Sequence, residues 1–507
     1  MRRPRDAALH EMLFNSYAFI FVYFPIVLLG FFLIGKRNAR AAAGFLALAS
    51  LVFYGWWSVK ALPLLVASIC FNYWMGLRLT PGPDRSDRER KRMLVLALTV
   101  NLGVLAVFKY VDFFVDNINT GLTAAGIAPM PLLHVALPIG ISFYTFTQIA
   151  FLVDCWQGKV HERRFIHYAL FVTYFPHLVA GPVLHHAQMM PQFGNPATYR
   201  VDPNKLALGL AIFTFGLAKK LLIADRMGQY ADMVFNGVQA GTVPMLVSSW
   251  LGGLAYTLQI YFDFSGSSDM AVGLSLCLGV QLPLNFRSPY KSTSIIDFWR
   301  RWHISLSNFL RDYLYVPLGG NRKGEARRYL NLFLTMLLGG LWHGAAWTFV
   351  IWGALHGAYL MINHLWNAKV RRGRPSGKLS AMLGWALTFL CVMIAWVVFR
   401  ADSVSTAMQI YRGMLGLNGA PLATFAEFTI PYRKPEFFQT LLLGLFVCLA
   451  LPPTIMLERW VPTVPALAGR PRLASTMTIA TALGTVVLLG LSVSKLGAYS
   501  PFLYFQF

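Results

Sequence analysis

The run NLFLTMLLGGLWHGAAWTFVIWGALHGAYLMINHLW, residues 331–366, contains no Asp, Glu, Lys or Arg. Basic residues close it on both sides: Arg322, Lys323, Arg327 and Arg328 before it, Lys369, Arg371, Arg372, Arg374 and Lys378 behind it. Loops rich in Lys and Arg stay on the cytoplasmic face, so both ends of the run belong there and the chain must enter the bilayer and come back. Gly339-Gly340 is the natural place for the helix to break. His343 lies just beyond, which puts an imidazole near the turn of an intramembrane hairpin. A titratable side chain at that depth is costly and is a functional-site candidate by default.

The rest of the chain has the same character. Hydrophobic residues are 56% and charged residues 13% of the 507, against roughly 45–50% and about 25% in soluble domains, so this is an all-α polytopic membrane protein. Apolar stretches of ~18–22 residues recur from Tyr17 to Leu491, and each can cross a ~30 Å hydrocarbon core as a helix. No separate soluble domain is left over. Residues 1–507 form one membrane domain: N-terminal helices over 17–283, a cytoplasmic interfacial segment over 284–328, the hairpin over 329–366, C-terminal helices over 380–494 and an aromatic tail over 495–507. The net charge of +23 comes from Lys and Arg in short loops, where they fix topology and meet anionic lipid headgroups; nucleic acid is not implied. Cys70, Cys155, Cys277, Cys391 and Cys448 show no paired spacing and read as small core residues.

Loop charge sets the orientation. Lys36, Arg37 and Arg40 follow a first helix at about 17–34, which has no cleavage site behind it and is read as retained. The run from Asp84 to Arg92 follows a helix at about 61–79. Both loops are cytoplasmic by charge, whereas Val111 to Leu133 has no Lys or Arg and belongs outside. The N-terminus then lies outside, against the weaker vote of Arg2, Arg3 and Arg5. The apolar runs near 166–182, 205–223 and 246–280 are interrupted by Pro176, Pro182 and Asp263-Phe264-Ser265-Gly266, so half-helices or re-entrant segments are expected there. About twelve crossings result, and the tail from Ser500 to Phe507 ends outside.

The segment from Asn285 to Arg328 holds nine basic residues against Asp297, Asp312 and Glu325, with Trp299, Trp302, Phe309, Tyr313 and Tyr315 interleaved. That is the pattern of a helix lying in the cytoplasmic interface. His303 sits there beside Arg300 and Arg301, and a base next to cations suits an anionic, phosphate-bearing donor. On spacing alone, a solvated helix with snorkelling arginines explains the segment as well. An imidazole near its reference pKa of about 6.5 suits His343 to general-base work on a hydroxyl; the alternative is a buried histidine bonded to a carbonyl. His356 and His364 read as structural. Asp263 and Asp269 could orient a histidine or bind an ion. His185-His186 has no identifiable third ligand, and no metal site is expected. Phosphate-cradling glycine loops, a dinucleotide fingerprint and a nucleophile elbow are absent from the sequence.

The ordered set Asn285-Phe286-Arg287-Ser288-Pro289-Tyr290, Asp297 to Ser307, Leu310 to Tyr315, Leu318 to Gly324 and Leu341-Trp342-His343-Gly344, with Leu137 to Tyr144 and Phe175 to Val183 upstream, resembles the membrane-bound O-acyltransferase family. The resemblance covers nearly the whole chain. Ser267, where the family pattern leads one to expect an aromatic, and the extension Met1 to Glu11 depart from it. It implies a ring of transmembrane, re-entrant and interfacial helices around a central tunnel, His343 as the essential histidine and His303 as a second one. It implies an acetyl group taken from a cytoplasmic thioester, acetyl-coenzyme A, with no bound cofactor. The group passes through a bacterial inner membrane to an extracytoplasmic hydrolase-like acetyltransferase and polysaccharide secretion components, for O-acetylation of an alginate-like polymer. Arg300, Arg301, Arg311, Arg322 and Lys323 become the candidate contacts to the donor phosphates. Tyr504 in the tail is a candidate acyl carrier, since a phenol of pKa about 10 is a better leaving group than an alkyl alcohol; an interfacial aromatic anchor is the alternative. Peptidoglycan or cellulose as acceptor, and a lipid-linked sugar flippase built on inverted repeats, are the rival readings.

Overall fold

The computed structural model describes residues 12–83, 85–178, 181–372, 377–418, 435–454, 456, 471–497 and 502–503, with backbone only over 471–478. Tyr504, with most of the aromatic tail, and Met1 to Glu11 lie outside the described residues. Among the described residues every regular element is helical. Five helical stretches are long and apolar enough to cross a membrane: Ala39–Trp57, Val59–Leu79, Asp87–Ala124, Pro203–Gln239 and Lys378–Arg400. Shorter apolar helices accompany them.

Two compact units divide the chain. Residues 1–213, 270–283 and 496–501 make up the first, and residues 214–269, 284–495 and 502–507 the second. The first unit contains α1 (Phe24–Gly35), α2 (Ala39–Trp57), α3 (Leu62–Leu79), α4 (Asp87–Ala124), α5 (Ile141–Trp156), α6 (Phe165–Thr173), α7 (Phe175–Leu178), α8 (His186–Gly194) and most of α9 (Pro203–Ala218). Phe14, Phe19, Tyr23, Phe53 and Phe175 form its aromatic core, with ring centroids 5.0–6.0 Å apart. Asn72 on α3 and Asn101 on α4 exchange amide hydrogen bonds of 3.0 and 2.7 Å. Such a reciprocal pair satisfies groups that neither lipid nor an apolar core could.

The helix α4 corrects one boundary. Both the basic run Asp84 to Arg92 and the stretch after Val111 read as loops from charge, yet α4 spans 38 residues, about 57 Å at 1.5 Å per residue. Its start is a capping box: the Glu89 N–H donates to Ser86 Oγ at 3.3 Å, and the Ser86 N–H donates to Glu89 Oε2 at 3.0 Å. Two acids in the first turn complement the helix dipole there. The helix therefore begins inside the basic run and continues past the apolar window.

The second unit contains α10 (Asp225–Gln239), α11 (Leu246–Cys277) as far as Asp269, α12 (Ile295–Trp299), α13 (Ile304–Leu310), α14 (Gly324–His343), α15 (Trp347–Trp366), α16 (Lys378–Arg400), α17 (Val404–Met414), α18 (Pro435–Leu449) and α19 (Pro471–Val493). The expected hairpin is α14–α15. Its break lies at Gly344-Ala345-Ala346, not at Gly339-Gly340. Those glycines serve packing instead: a Cβ on Gly340 would collide with the Phe349 carbonyl and stand 2.9 Å from Gly353 Cα. Close backbone approach is what small residues supply between membrane helices. His343 remains the last residue of α14, at the turn, as expected.

Two further expectations change. α11 runs unbroken through Asp263-Phe264-Ser265-Gly266, and a Cβ on Gly266 would stand 2.7 Å from the Gly216 carbonyl oxygen, so this glycine too marks a close crossing. The segment 285–328 is not one flat helix. Ser288 and His303 take left-handed backbone, with φ of 46° and 42°, and break it into the short α12 and α13 with turns between. The Arg287 N–H donates to the Arg301 carbonyl at 2.9 Å and the Ile304 N–H to the Asn285 carbonyl at 3.0 Å. These bonds fold the segment back on itself and turn Phe298, Trp302 and His303 inward, each fully or nearly buried.

Candidate active site

Because α14 ends at His343, the imidazole stands at the hairpin turn with α15 and α16 around it. Its ring meets Trp352 edge to face at 5.1 Å and Phe399 at 5.3 Å. Trp396 stacks on Trp352 at 5.8 Å. Beside it is a cavity of about 20 Å³ lined by Ile260, Asp263, Phe264, Trp302, His343, Trp396, Phe399 and Leu503. That is room for about one water-sized group. An aromatic, nearly dry wall strengthens whatever polar interaction is made there.

His303 belongs to the same wall at one remove. Its ring stands edge-on to Phe264 at 4.7 Å, and its chain neighbour Trp302 lines the cavity. Asn285 decides its tautomer. Asn285 Oδ1 takes the Ser305 N–H at 3.3 Å and the Ser305 hydroxyl at 2.9 Å, which identifies it as the amide oxygen. It lies 3.1 Å from His303 Nδ1, so Nδ1 carries the proton and Nε2 is the basic nitrogen. Burial holds this imidazole well below its ordinary basicity, so it is neutral at physiological pH. A left-handed φ on a non-glycine residue costs on the order of 1 kcal/mol. The strained backbone, the buried ring and the fixed tautomer together give a pre-aimed neutral hydrogen-bond acceptor. Asn285 was not found from sequence, although a polar residue opening the Asn285 to Tyr290 motif was the available signal. Replacing Asn285 by Leu should free the tautomer and lower turnover at least about tenfold, while Asn285→Asp, which still accepts from Nδ1, should keep more activity. Equal turnover in wild type and Asn285→Leu would leave Asn285 a packing residue.

Asp263 is the other polar group at the cavity. Lys220 Nζ lies 2.5 Å from its Oδ1 and 2.7 Å from Asp225 Oδ1, and Lys219 pairs with Asp269 at 2.6 Å. These aspartates, read as groups that could orient a histidine or bind an ion, pair with lysines of the π-helical turn Lys219–Ala224. Two adjacent lysines in an otherwise apolar run were visible in the sequence and went unused. Removing one partner of a buried pair typically costs about 3–5 kcal/mol. Lys220→Met should thus lower the thermal unfolding temperature in detergent sharply, and Lys220→Met with Asp263→Leu should recover most of it. An unshifted unfolding curve for Lys220→Met would show the pair to be dispensable.

Asp263 also holds the tail. Its Oδ2 accepts the Leu503 N–H at 3.1 Å, and Phe502 and Leu503 are both buried. Leu503 lines the cavity with His343, so the chain reaches this wall one residue before Tyr504.

The candidate donor contacts separate into two groups. Arg301 pairs with Asp297 at 2.9 Å and Arg311 with Asp312 at 2.7 Å. Arg300, Arg322 and Lys323 are exposed. His356 is fully buried and its Nδ1 accepts the Trp299 indole N–H at 3.3 Å. His364 Nδ1 lies 2.7 Å from Arg328 Nη2. Both fit the structural roles read for them.

The sequence model of the membrane-bound O-acyltransferase family matches residues 57–401. The chain is 42% identical to the "Probable alginate O-acetylase AlgI" of Pseudomonas putida, over 98% of this chain and all of that protein. It is 40% identical to the "Peptidoglycan O-acetyltransferase" of Helicobacter pylori, over 85% of this chain and 88% of that one. The "Teichoic acid D-alanyltransferase" of Bacillus subtilis is 28% identical over 52% of this chain and 68% of its own length. With a family match over well more than half its length and 42% identity over nearly the whole of it, the chain belongs to the membrane-bound O-acyltransferase family and is a multi-pass membrane O-acetyltransferase.

Proposed function

We propose that the protein takes acetyl from acetyl-coenzyme A on the cytoplasmic side of a bacterial inner membrane and delivers it outward for O-acetylation of a secreted, alginate-like polysaccharide. The observation that supports this reading is a cavity lined by both His343 and Leu503, which puts a base beside the residue that precedes Tyr504 in the sequence. In the first step His343 removes the proton of an acceptor hydroxyl, the oxygen attacks the thioester carbonyl, and coenzyme A leaves as the thiol after taking up a proton. His303, whose neighbour Trp302 lines that cavity, is the second histidine assigned to this step, as a neutral hydrogen-bond acceptor through Nε2. The exposed Arg300, Arg322 and Lys323 meet the coenzyme phosphates. In the second step the acetyl passes to an extracytoplasmic hydrolase-like partner and then to the polymer.

Peptidoglycan is the second reading for the acceptor, favoured by the similarity to the Helicobacter pylori protein; it leaves the first step unchanged. The test is incubation of the purified protein with acyl-coenzyme A species labelled in the acyl group. Acetyl-coenzyme A should be consumed and should label the protein, while longer acyl donors should not. Consumption of another thioester in preference would overturn acetyl as the cargo, and no consumption of any coenzyme A thioester would overturn the donor class.

A further inference from the structure

A second cluster of ligating side chains lies in the first unit. Asp154, in the last turn of α5, is 2% exposed. His185 caps α8 and His186 opens it. His185 Nε2 stands 2.7 Å and His186 Nε2 3.0 Å from the same oxygen, Asp154 Oδ2. The three ligand atoms all fall within 4.8 Å of one another. Around a tetrahedral zinc ion, with bonds of roughly 2.0–2.2 Å, donor atoms stand about 3.3–3.5 Å apart. To admit one, His185 Nε2 has to draw back from Asp154 Oδ2 by about 0.6–0.8 Å and His186 Nε2 by about 0.3–0.5 Å. No third ligand for His185-His186 could be picked from the sequence, because Asp154 reaches them only through the packing of α5 against α8.

The three residues are unequal in the way a metal site with an open position requires. Asp154 and His186 are held by the core: His186 is buried and its ring meets Phe151 edge to face at 6.1 Å. His185 keeps a side-chain exposure of 37%, so water can reach the ion from its side.

We propose that Asp154, His185 and His186 bind one zinc-class divalent cation where α5 meets α8, with the remaining coordination position open to water. The protonation changes are specific. His185 Nδ1 now accepts the Ala187 N–H at 3.2 Å, so its proton is on Nε2 and points to Asp154. On binding, that proton moves to Nδ1, Nε2 turns its lone pair to the metal, and the Ala187 cap bond is given up; His186, whose Nε2 also faces Asp154 Oδ2 as a donor, likewise shifts its proton to Nδ1. Asp154 remains a carboxylate, no electron is transferred, and the site gains two positive charges. A carboxylate with two imidazoles is a donor set that zinc takes readily.

The test is zinc binding by the full-length, tag-free protein in detergent after chelator treatment, followed by calorimetry, with cobalt(II) visible absorption as a report of tetrahedral nitrogen and oxygen ligation. One equivalent of zinc is expected. Losing a direct ligand should weaken binding by more than the 10–100-fold typical of an outer-shell change, in both Asp154→Asn and His185→Gln. His185 is half-exposed, so His185→Gln keeps the fold and decides the matter even where Asp154→Asn does not accumulate. Absence of a zinc equivalent in the wild type, or unchanged affinity in His185→Gln, overturns the proposal. The readout does not involve acetyl transfer, so its failure leaves the reading of His343 untouched.

Discussion

His343→Ala should reach the membrane folded and lose acetyl transfer by at least about 10²-fold, the loss expected for a missing general base. The imidazole is the polar group that α14 delivers to the hairpin turn, and the walls around it are Trp352, Phe399 and Trp396. Aromatic side chains cannot take its place in accepting a proton. Alanine removes ring contacts with Trp352 and Phe399, so part of any loss would come from looser packing. His343→Gln separates the two effects: it keeps bulk and hydrogen bonding but cannot cycle a proton near neutral pH. Both variants should therefore fail in acetyl transfer, with His343→Gln closer to wild type in thermal unfolding. Near-normal polymer acetylation by either variant, at wild-type expression, would remove His343 from the mechanism.

How much of this was legible in the sequence depends on which physical signal each feature leaves. Helices whose ends coincide with a change from apolar to polar residues were read well: the helix expected at about 61–79 is Leu62–Leu79, and the C-terminal helices expected from 380 begin with Lys378–Arg400. Glycine was read less well. Gly339-Gly340 and Gly266 looked like breaks because glycine has no preference to stay helical, but in each case the missing Cβ is used for close approach of a neighbouring backbone. A single sequence does not say which of those two uses a glycine serves. The amphipathic pattern of 285–328 mis-stated the shape of that segment, because the left-handed turns at Ser288 and His303 lie at residues with no special preference for them. Partners distant in sequence left no trace at all. Asn285 beneath His303, Lys220 beside Asp263 and Asp154 beside His185 are each a plain polar residue until the fold brings them together.

Tyr504→Phe should abolish polymer acetylation while leaving the protein stable. The tail is tied to the active-site wall by the bond from the Leu503 N–H to Asp263, with Phe502 and Leu503 buried, and Tyr504 is the next residue. A phenol there offers an acceptor that the donor thioester can acylate: a phenyl ester keeps much of the transfer potential of a thioester, because its leaving group has a pKa of about 10. Acetyl would move from coenzyme A to the Tyr504 oxygen with loss of the phenolic proton to His343, and later from that oxygen to the partner, restoring the phenol. Phenylalanine keeps the aromatic body and deletes only the hydroxyl, so the variant distinguishes a carrier from an anchor. Mass spectrometry of the wild-type C-terminal peptide should show an alkali-labile acetyl adduct that is missing from Tyr504→Phe and from His343→Ala. Asp263→Leu, which releases the Leu503 N–H, should reduce the adduct without removing the acceptor. Full polymer acetylation by Tyr504→Phe would end the relay and leave direct transfer from the cavity to the partner protein as the route by which acetyl leaves the membrane.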